Sequence, residues 1–304
     1  MTTPVEPAWL ADYRALTEEV GFVPLERTQI ELLGKDRASF LHNLSTNEIK
    51  KLAVGGGCEA FITSVQGKTV GHGYVFAGPD SLVFDTDAGQ GETLLKHLDH
   101  YLVCEQVELR DRSQEWAELL LAGPGADDAM TQLFQVSVPQ PRLSNLYSGW
   151  NGKHLWIRRV DLVGGGGFLI SVSRSDAAAM AGALAAVGVR RCGVEAVEAA
   201  RIEQGFPRYG QDLSDKTLPQ ELARDNQAIS FVKGCYLGQE TVARIDALGH
   251  VNKTLVGLRF SGIVVPPLGE ELKAGEQVVG QVTSATFSPR LAAPLALGYV
   301  KQGH

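Results

Sequence analysis

The chain reads as an α+β protein built from two ferredoxin-like α/β units and a small C-terminal antiparallel β-barrel. Three observations predict this. Between residues 29 and 110 the patterns run strand, helix, strand, strand, helix, strand, with one strand added, which is the order of a ferredoxin-like unit. Between residues 116 and 187 that order returns with different residues. From Asn252 onward, short apolar runs alternate with Pro/Gly turns, as in a small barrel or sandwich. The expected division is 1–112 for the first unit, 113–190 for the second, 191–250 for a returning segment that packs with the first, and 251–304 for the barrel.

The lead-in, residues 1–24, carries a helical stretch near 8–20, with Pro24 closing it. Residues 29–33 form a short strand, and Asp36 is placed to cap a helix with Phe40, Leu41 and Leu44 on one side. Residues 59–65, 73–77 and 82–85 read as strands, the last two joined by a tight turn at Gly78-Pro79-Asp80. A helix at 91–101 and a strand at 107–110 complete the first unit. In the second unit, strand 116–121 and the turn Gly123-Pro124-Gly125 lead into a helix at 126–134. Strands 154–160 and 168–172 precede an Ala-rich helix at 176–187. A helix over 194–206 ends at Gly205, with Pro207 as its stop signal. After a turn-rich stretch and a helix-capable run at 239–245, strands are expected at 254–260, 277–283 and 296–301.

Composition narrows the function classes. With 304 residues, 44% of them apolar, the chain is long enough to build its cores without disulfides or a structural metal. Its 28 Lys+Arg against 35 Asp+Glu give a net charge of −7, and no basic run exceeds a pair such as Arg158-Arg159. Such a surface repels phosphate backbones, so no direct nucleic-acid partner is expected. No window approaches a membrane span and no basic-then-apolar start resembles a secretory signal, so the expected place is the cytoplasm. Cys58, Cys104, Cys192 and Cys235 are scattered, consistent with reduced thiols. His97, His100 and Cys104 fall on one helical face, but no carboxylate or Cys pair completes a ligand set, and no metal site is expected. The glycine runs at 55–57 and 164–167 lack a Gly-Lys-Ser/Thr ending and read as hairpin loops.

The sharpest local feature is Lys233-Gly234-Cys235-Tyr236-Leu237-Gly238-Gln239-Glu240. Two glycines bracket a cysteine just ahead of a helix, with Lys233 two residues away. A helix N-terminus and a cation both stabilise a thiolate, so Cys235 is the expected functional thiol, tuned or positioned by Lys233 and Gln239. The competing reading is a small buried cysteine filling a turn. The functional reading predicts that Cys235 alkylates well below pH 8.5, while Cys58, Cys104 and Cys192 lag.

This octapeptide resembles the signature of the YgfZ-type folate-binding proteins, relatives of the glycine-cleavage T-protein, the aminomethyltransferase. The likeness extends through Phe40-Leu41-His42-Asn43-Leu44-Ser45-Thr46-Asn47-Glu48, Gln66-Gly67-Lys68, Arg201-Ile202-Glu203-Gln204-Gly205-Phe206-Pro207 and Leu218-Pro219-Gln220-Glu221. It covers roughly residues 28 to 300 in order. It implies a three-domain T-protein-like fold, tetrahydrofolate as cofactor, and folate-dependent assistance in assembling or repairing iron–sulfur clusters. The implied partners are client enzymes or assembly proteins. Glu203 is the expected acceptor for adjacent pterin N–H donors, although the commoner fate of such a residue is a surface helix carboxylate. Arg201, Arg208, Arg224 and Arg244 include the expected cation for the glutamyl tail, and Asn47, His72 and Tyr236 join the expected folate contacts.

Two departures from the transferase branch stand out. His72 occupies the position where that branch has an aspartate, and an imidazole does not supply a fixed negative charge beside a developing iminium. The branch also tends toward Gly-Arg-Glu where this chain has Gly238-Gln239-Glu240, and it lacks the cysteine. A folate-dependent aminomethyltransferase or demethylase is therefore the alternative. A folate-free interaction module is the third class.

Overall fold

The computed structural model describes residues 7–135 and 137–304. Residues 1–6, the start of the expected lead-in, lie outside the described residues, as does Val136.

The first unit folds as expected. Its elements are β2 (Arg27–Leu33), α2 (Arg37–Leu44), β3 (Gly57–Thr63), β4 (Thr69–Ala77), β5 (Ser81–Asp87), α3 (Gly91–His100) and β6 (Glu108–Asp111). They make a five-stranded antiparallel sheet in the order β3-β4-β5-β2-β6. This is the ferredoxin-like order with one strand, β4, inserted. Asp36 stands at the α2 N-cap, but its carboxylate accepts the Gln106 N–H at 2.8 Å instead of closing the helix.

The second unit contains β7 (Trp116–Ala122), α4 (Ala126–Phe134), β8 (Asn145–Trp150), β9 (Lys153–Val160), β10 (Gly167–Ser173), α5 (Ala177–Ala186) and β11 (Arg190–Arg191). Its sheet runs β8-β9-β10-β7-β1-β11, the first sheet's order with one insertion. The inserted strand is β1 (Gly21–Leu25), which follows α1 (Leu10–Glu18), pairs antiparallel with β7 and parallel with β11. Pro24 therefore lies inside a strand and does not close the lead-in helix. Sheet membership does not follow the 112/113 division, because β1 runs in the second sheet.

The side-chain alternation of each sheet explains the layers. One face of the first sheet packs Ile30, Leu32, Val75 and Phe84 against α2 and α3. One face of the second packs Leu119, Leu121, Ile157 and Phe168 against α4 and α5. The two remaining faces meet each other. Tyr74, Phe76 and Val83 from the first sheet share a core with Val23, Leu120, Trp156 and Leu169 from the second, closed by α1 and by α6 (Val194–Glu203).

The returning segment carries α7 (Asp225–Ala228) and α8 (Gln239–Leu248). The C-terminal strands β12 (Lys253–Arg259), β13 (Glu271–Ala274), β14 (Gln277–Ser288) and β15 (Ala293–Lys301) form an antiparallel sheet in the order β12-β15-β14-β13. Leu255, Leu295 and Leu297 of this sheet pack with Phe61, Leu222, Tyr236 and Val242, so the segment wedges between the C-terminal sheet and β3. Strands β8 and β13 escaped the sequence reading for a shared reason. Both are edge strands, β8 partly and β13 largely exposed, and the Asn/Ser/Gly residues of β8 and the Glu/Lys/Ala residues of β13 favour turn and helix over strand.

Candidate functional site

The facing sheets bury two polar clusters. In the first, Arg158 on β9 is fully enclosed and reaches Asp85 Oδ2 on β5 at 2.7 Å, Glu118 on β7, and Ser171 on β10. Arg27 also bonds Asp85, and Gln29 bonds Glu118. The guanidinium lies over the Trp156 ring at 4.4 Å. This cluster ties the two sheets together.

The second cluster centres on Glu59, whose side chain is wholly buried on β3. Its Oε1 meets His72 Nε2 at 2.8 Å and also accepts Arg224 Nε. Its Oε2 accepts Arg224 Nη2 at 2.8 Å and Arg142 Nη2 at 2.7 Å. Burial alone would push this carboxyl up. Hydrogen bonds from Arg224 and His72, with the arginine charge, instead hold it far below the usual carboxylate range. Arg142 also donates to Asp161 at 2.8 Å, and the Tyr74 hydroxyl donates to Asp161 at 3.1 Å. The His72 ring stacks on Phe61 at 4.7 Å and leans on Phe206 at 5.4 Å. Its Nδ1 is buried with no hydrogen-bond partner.

The structure joins two motifs that lie about 190 positions apart in sequence. The Lys233 ammonium is enclosed by three backbone carbonyls, those of His42 at 2.7 Å, Ser45 at 2.6 Å and Asn47 at 2.8 Å. It also sits 4.9 Å above the Tyr236 ring. Burial pushes Lys233 down to about 8. The Leu237 N–H donates to Asn43 O, and Leu237 O accepts the Thr63 hydroxyl. Residues 230–237 are thereby sewn to the end of α2, while Cys235 between these anchors is exposed. Val232 beside it is 98% exposed. Lys233 thus acts on the loop backbone, and Gln239 opens α8 four residues beyond the thiol.

The expected folate residues are spread over several environments. The Asn47 amide donates to Glu59 O at 2.8 Å and to Gln227 O at 3.1 Å, which places it beside the Glu59 centre. The Glu203 side chain is enclosed at the end of α6, and both of its oxygens are taken by Tyr13 at 2.7 Å, Ser288 and Arg290. Arg201 uses its guanidinium on Glu198, Asp212, Ser284 and Phe206 O. Arg244 is exposed on α8, away from these pairings. A cleft of about 420 Å³ opens between β1, β2 and α6, walled by Leu25, Leu162, Val197 and Phe206, with Arg208 at its edge.

The thiols sort by burial. Cys58 and Cys192 are pushed up by burial to about 12 and about 11, whereas Cys104 and Cys235 are exposed. Alkylation at pH 8 followed by peptide mass spectrometry is expected to modify Cys104 and Cys235 and to leave Cys58 and Cys192 largely untouched. Cys104 is exposed as Cys235 is, so its exposure gives no reason for the expected lag. Rapid labelling of Cys58 would contradict its partly buried position on β3 and its raised thiol.

Sequence reasoning overlooked Glu59, Arg142 and Asp161. A signal for Glu59 was present. It stands two residues before Phe61 in an apolar strand, on the face opposite Ala60 and Ile62. Phe61 pairs with His72 in the β3–β4 ladder, so Glu59 is the diagonal neighbour of His72. Among the described residues no group of three or more His, Cys, Asp and Glu gathers to hold a metal, and no helix is long and apolar enough to cross a membrane.

Residues 2–227 match the family described as GCVT N-terminal domain, and residues 253–304 match the glycine cleavage T-protein C-terminal barrel domain. A similar curated protein is "Putative transferase At1g60990, chloroplastic" of Arabidopsis thaliana, 28% identical over 276 residues. That alignment takes in 90% of the chain but only 63% of the plant protein's length. Aminomethyltransferases of Thermus thermophilus and Symbiobacterium thermophilum are 29% and 30% identical, over 89% and 97% of the chain and 76% and 82% of their own lengths. The crystal structure of the glycine cleavage system aminomethyltransferase T from Bartonella henselae superposes with a TM-score of 0.88 at 19% identity, over 99% of this chain and 83% of that one.

Proposed function

Since the chain belongs to the glycine-cleavage T-protein family, we propose that it binds tetrahydrofolate and handles a one-carbon unit on it, in a transfer of the aminomethyl type. The observation that carries this reading is the alignment with proteins named aminomethyltransferase along 89–97% of the chain. Tetrahydrofolate supplies the amine that accepts the one-carbon unit. The aromatic faces of Phe61 and Phe206 and the orphaned His72 Nδ1 fit a flat ring bearing N–H groups. Glu203 fits less directly, because Tyr13, Ser288 and Arg290 would have to yield its oxygens. Asn47 and Tyr236 border the site, and the exposed Arg244 and Arg208 are the cations we assign to the glutamyl tail.

A second reading is favoured by two particular observations. Cys235 is exposed on a loop clamped on both sides, with Val232 and Phe231 exposed earlier in the same loop. Glu59, the carboxylate nearest His72, is neutralised by two arginines and gives no free negative charge to an iminium. Both features suit a folate-binding accessory factor that presents a thiol to iron–sulfur client enzymes or assembly proteins. Calorimetry with tetrahydrofolate, on the native protein and on Cys235→Ser, is paired with a turnover assay on aminomethyl and N-methyl donors. We expect comparable binding by both proteins and folate-dependent turnover. Binding without turnover overturns the transfer reading in favour of the accessory one. No binding by either overturns both and leaves a folate-free interaction module.

A further inference from the structure

We propose that Glu59 is a positioning residue that fixes the tautomer of His72, making Nδ1 a buried acceptor for a ligand N–H. Under the folate reading, on which the ligand's identity rests, that ligand is a partly reduced pterin-type ring.

A carboxylate only accepts, so His72 Nε2, 2.8 Å from Glu59 Oε1, carries the proton. In the neutral ring, Nδ1 then holds a bare lone pair. Charge balance agrees with a neutral ring. Glu59 and Asp161 are already matched by Arg224 and Arg142, so an imidazolium would leave a net positive charge between the sheets. Glu59 cannot turn away, because four donors from three parts of the chain hold its two oxygens.

The lone pair is the unexplained part of this arrangement. Nδ1 is buried and unpartnered while every neighbouring polar group is satisfied in the network just described. A buried acceptor left empty carries a desolvation cost that a ligand donor would return. Phe206 belongs both to the wall of the cleft and to the surroundings of the His72 ring.

The test is nitrogen NMR on protein carrying labelled histidine, with the His72 signals among the seven histidines identified by their loss in His72→Phe. The expected result is a fixed Nε2–H tautomer at pH 8. In Glu59→Gln the fixed tautomer is expected to give way to exchange between the two. Added tetrahydrofolate is expected to shift the Nδ1 signal, and His72→Phe is expected to bind it about tenfold more weakly, the worth of one hydrogen bond. An Nδ1–H tautomer or an imidazolium in the native protein overturns the proposal, whether or not the Glu59 variant folds. Calorimetric binding that leaves Nδ1 unmoved also overturns it, while the folate reading stands. Zero binding heat overturns the folate reading, and with it the ligand named here.

Discussion

Replacing Arg158 with methionine is expected to destabilise the protein by about 3–5 kcal/mol, the usual cost of breaking a buried ion pair by removing one partner. The guanidinium is fully enclosed and holds Asp85 from one sheet against Glu118 and Ser171 from the other. Without it, two carboxylates face each other between the sheets with no cation but Arg27 nearby. The loss should depend on pH. Burial already raises Glu118 above its ordinary value, with Arg158 opposing the rise, and removing the arginine raises it further. Between the unfolded value of about 4.3 and that raised folded value, the folded state binds more protons than the unfolded state. Stability of Arg158→Met therefore falls as pH climbs through this window, and the gap to the native protein is narrower at pH 5 than at pH 8. Thermal melting at the two pH values checks it, with a fall of roughly 10 °C expected at the higher. A loss below about 1 kcal/mol, or one indifferent to pH, would show that the sheets do not depend on this cluster.

The second large effect is expected at Gly238, which adopts φ +80 at the start of α8. A Cβ there would collide with Ser64 O and lie 2.7 Å from Gly67 Cα. Gly67 is itself at φ +71, and a Cβ on it would meet Thr241 Cβ at 2.8 Å and Gly238 O at 2.9 Å. The two glycines are pressed together, backbone to backbone, where the β3–β4 hairpin meets the Cys235 loop. Gly238→Ala adds left-handed strain to a steric clash, for a loss of about 2–4 kcal/mol. Gly67→Ala should cost a similar amount, and the double variant less than the sum, because either change alone already forces the contact apart. Hydrogen exchange over residues 230–241 would rise in each variant. An unchanged melting midpoint with unchanged exchange would remove the contact from the account of this loop.

Much of the fold was legible because its elements carry strong local patterns. The period-two strands of both units, the Ala-rich α5 and the Gly205-Pro207 stop after α6 each depend on neighbours in sequence. The octapeptide around Cys235 was legible for the same reason, its glycines marking a steep turn before a helix. The site was less legible. Arg158 and Arg159 look alike as a basic pair, yet the pleat sends one to Asp85 between the sheets and the other to Asp127 on α4. Lys233 looks like a cation for the neighbouring thiol until the carbonyls of His42, Ser45 and Asn47 are seen to enclose it. Glu203 looks like a free acceptor until Tyr13 and Ser288 are brought to it from either end of the chain.

The sequence by itself determined the α+β class, the doubled ferredoxin-like order, the C-terminal strands and the T-protein kinship. Each follows from local periodicity, turn residues or contiguous motifs, which depend on neighbours a few positions away. Only the tertiary structure decided that β1 joins the second sheet, that two charged clusters are buried where the sheets meet, and that Glu59 pairs with His72 while Glu203 is taken up by Tyr13, Ser288 and Arg290. Those outcomes depend on which polar groups find partners once water is excluded. Burial makes an unpaired charge costly, so the final pairings are chosen across the whole chain and leave little local trace.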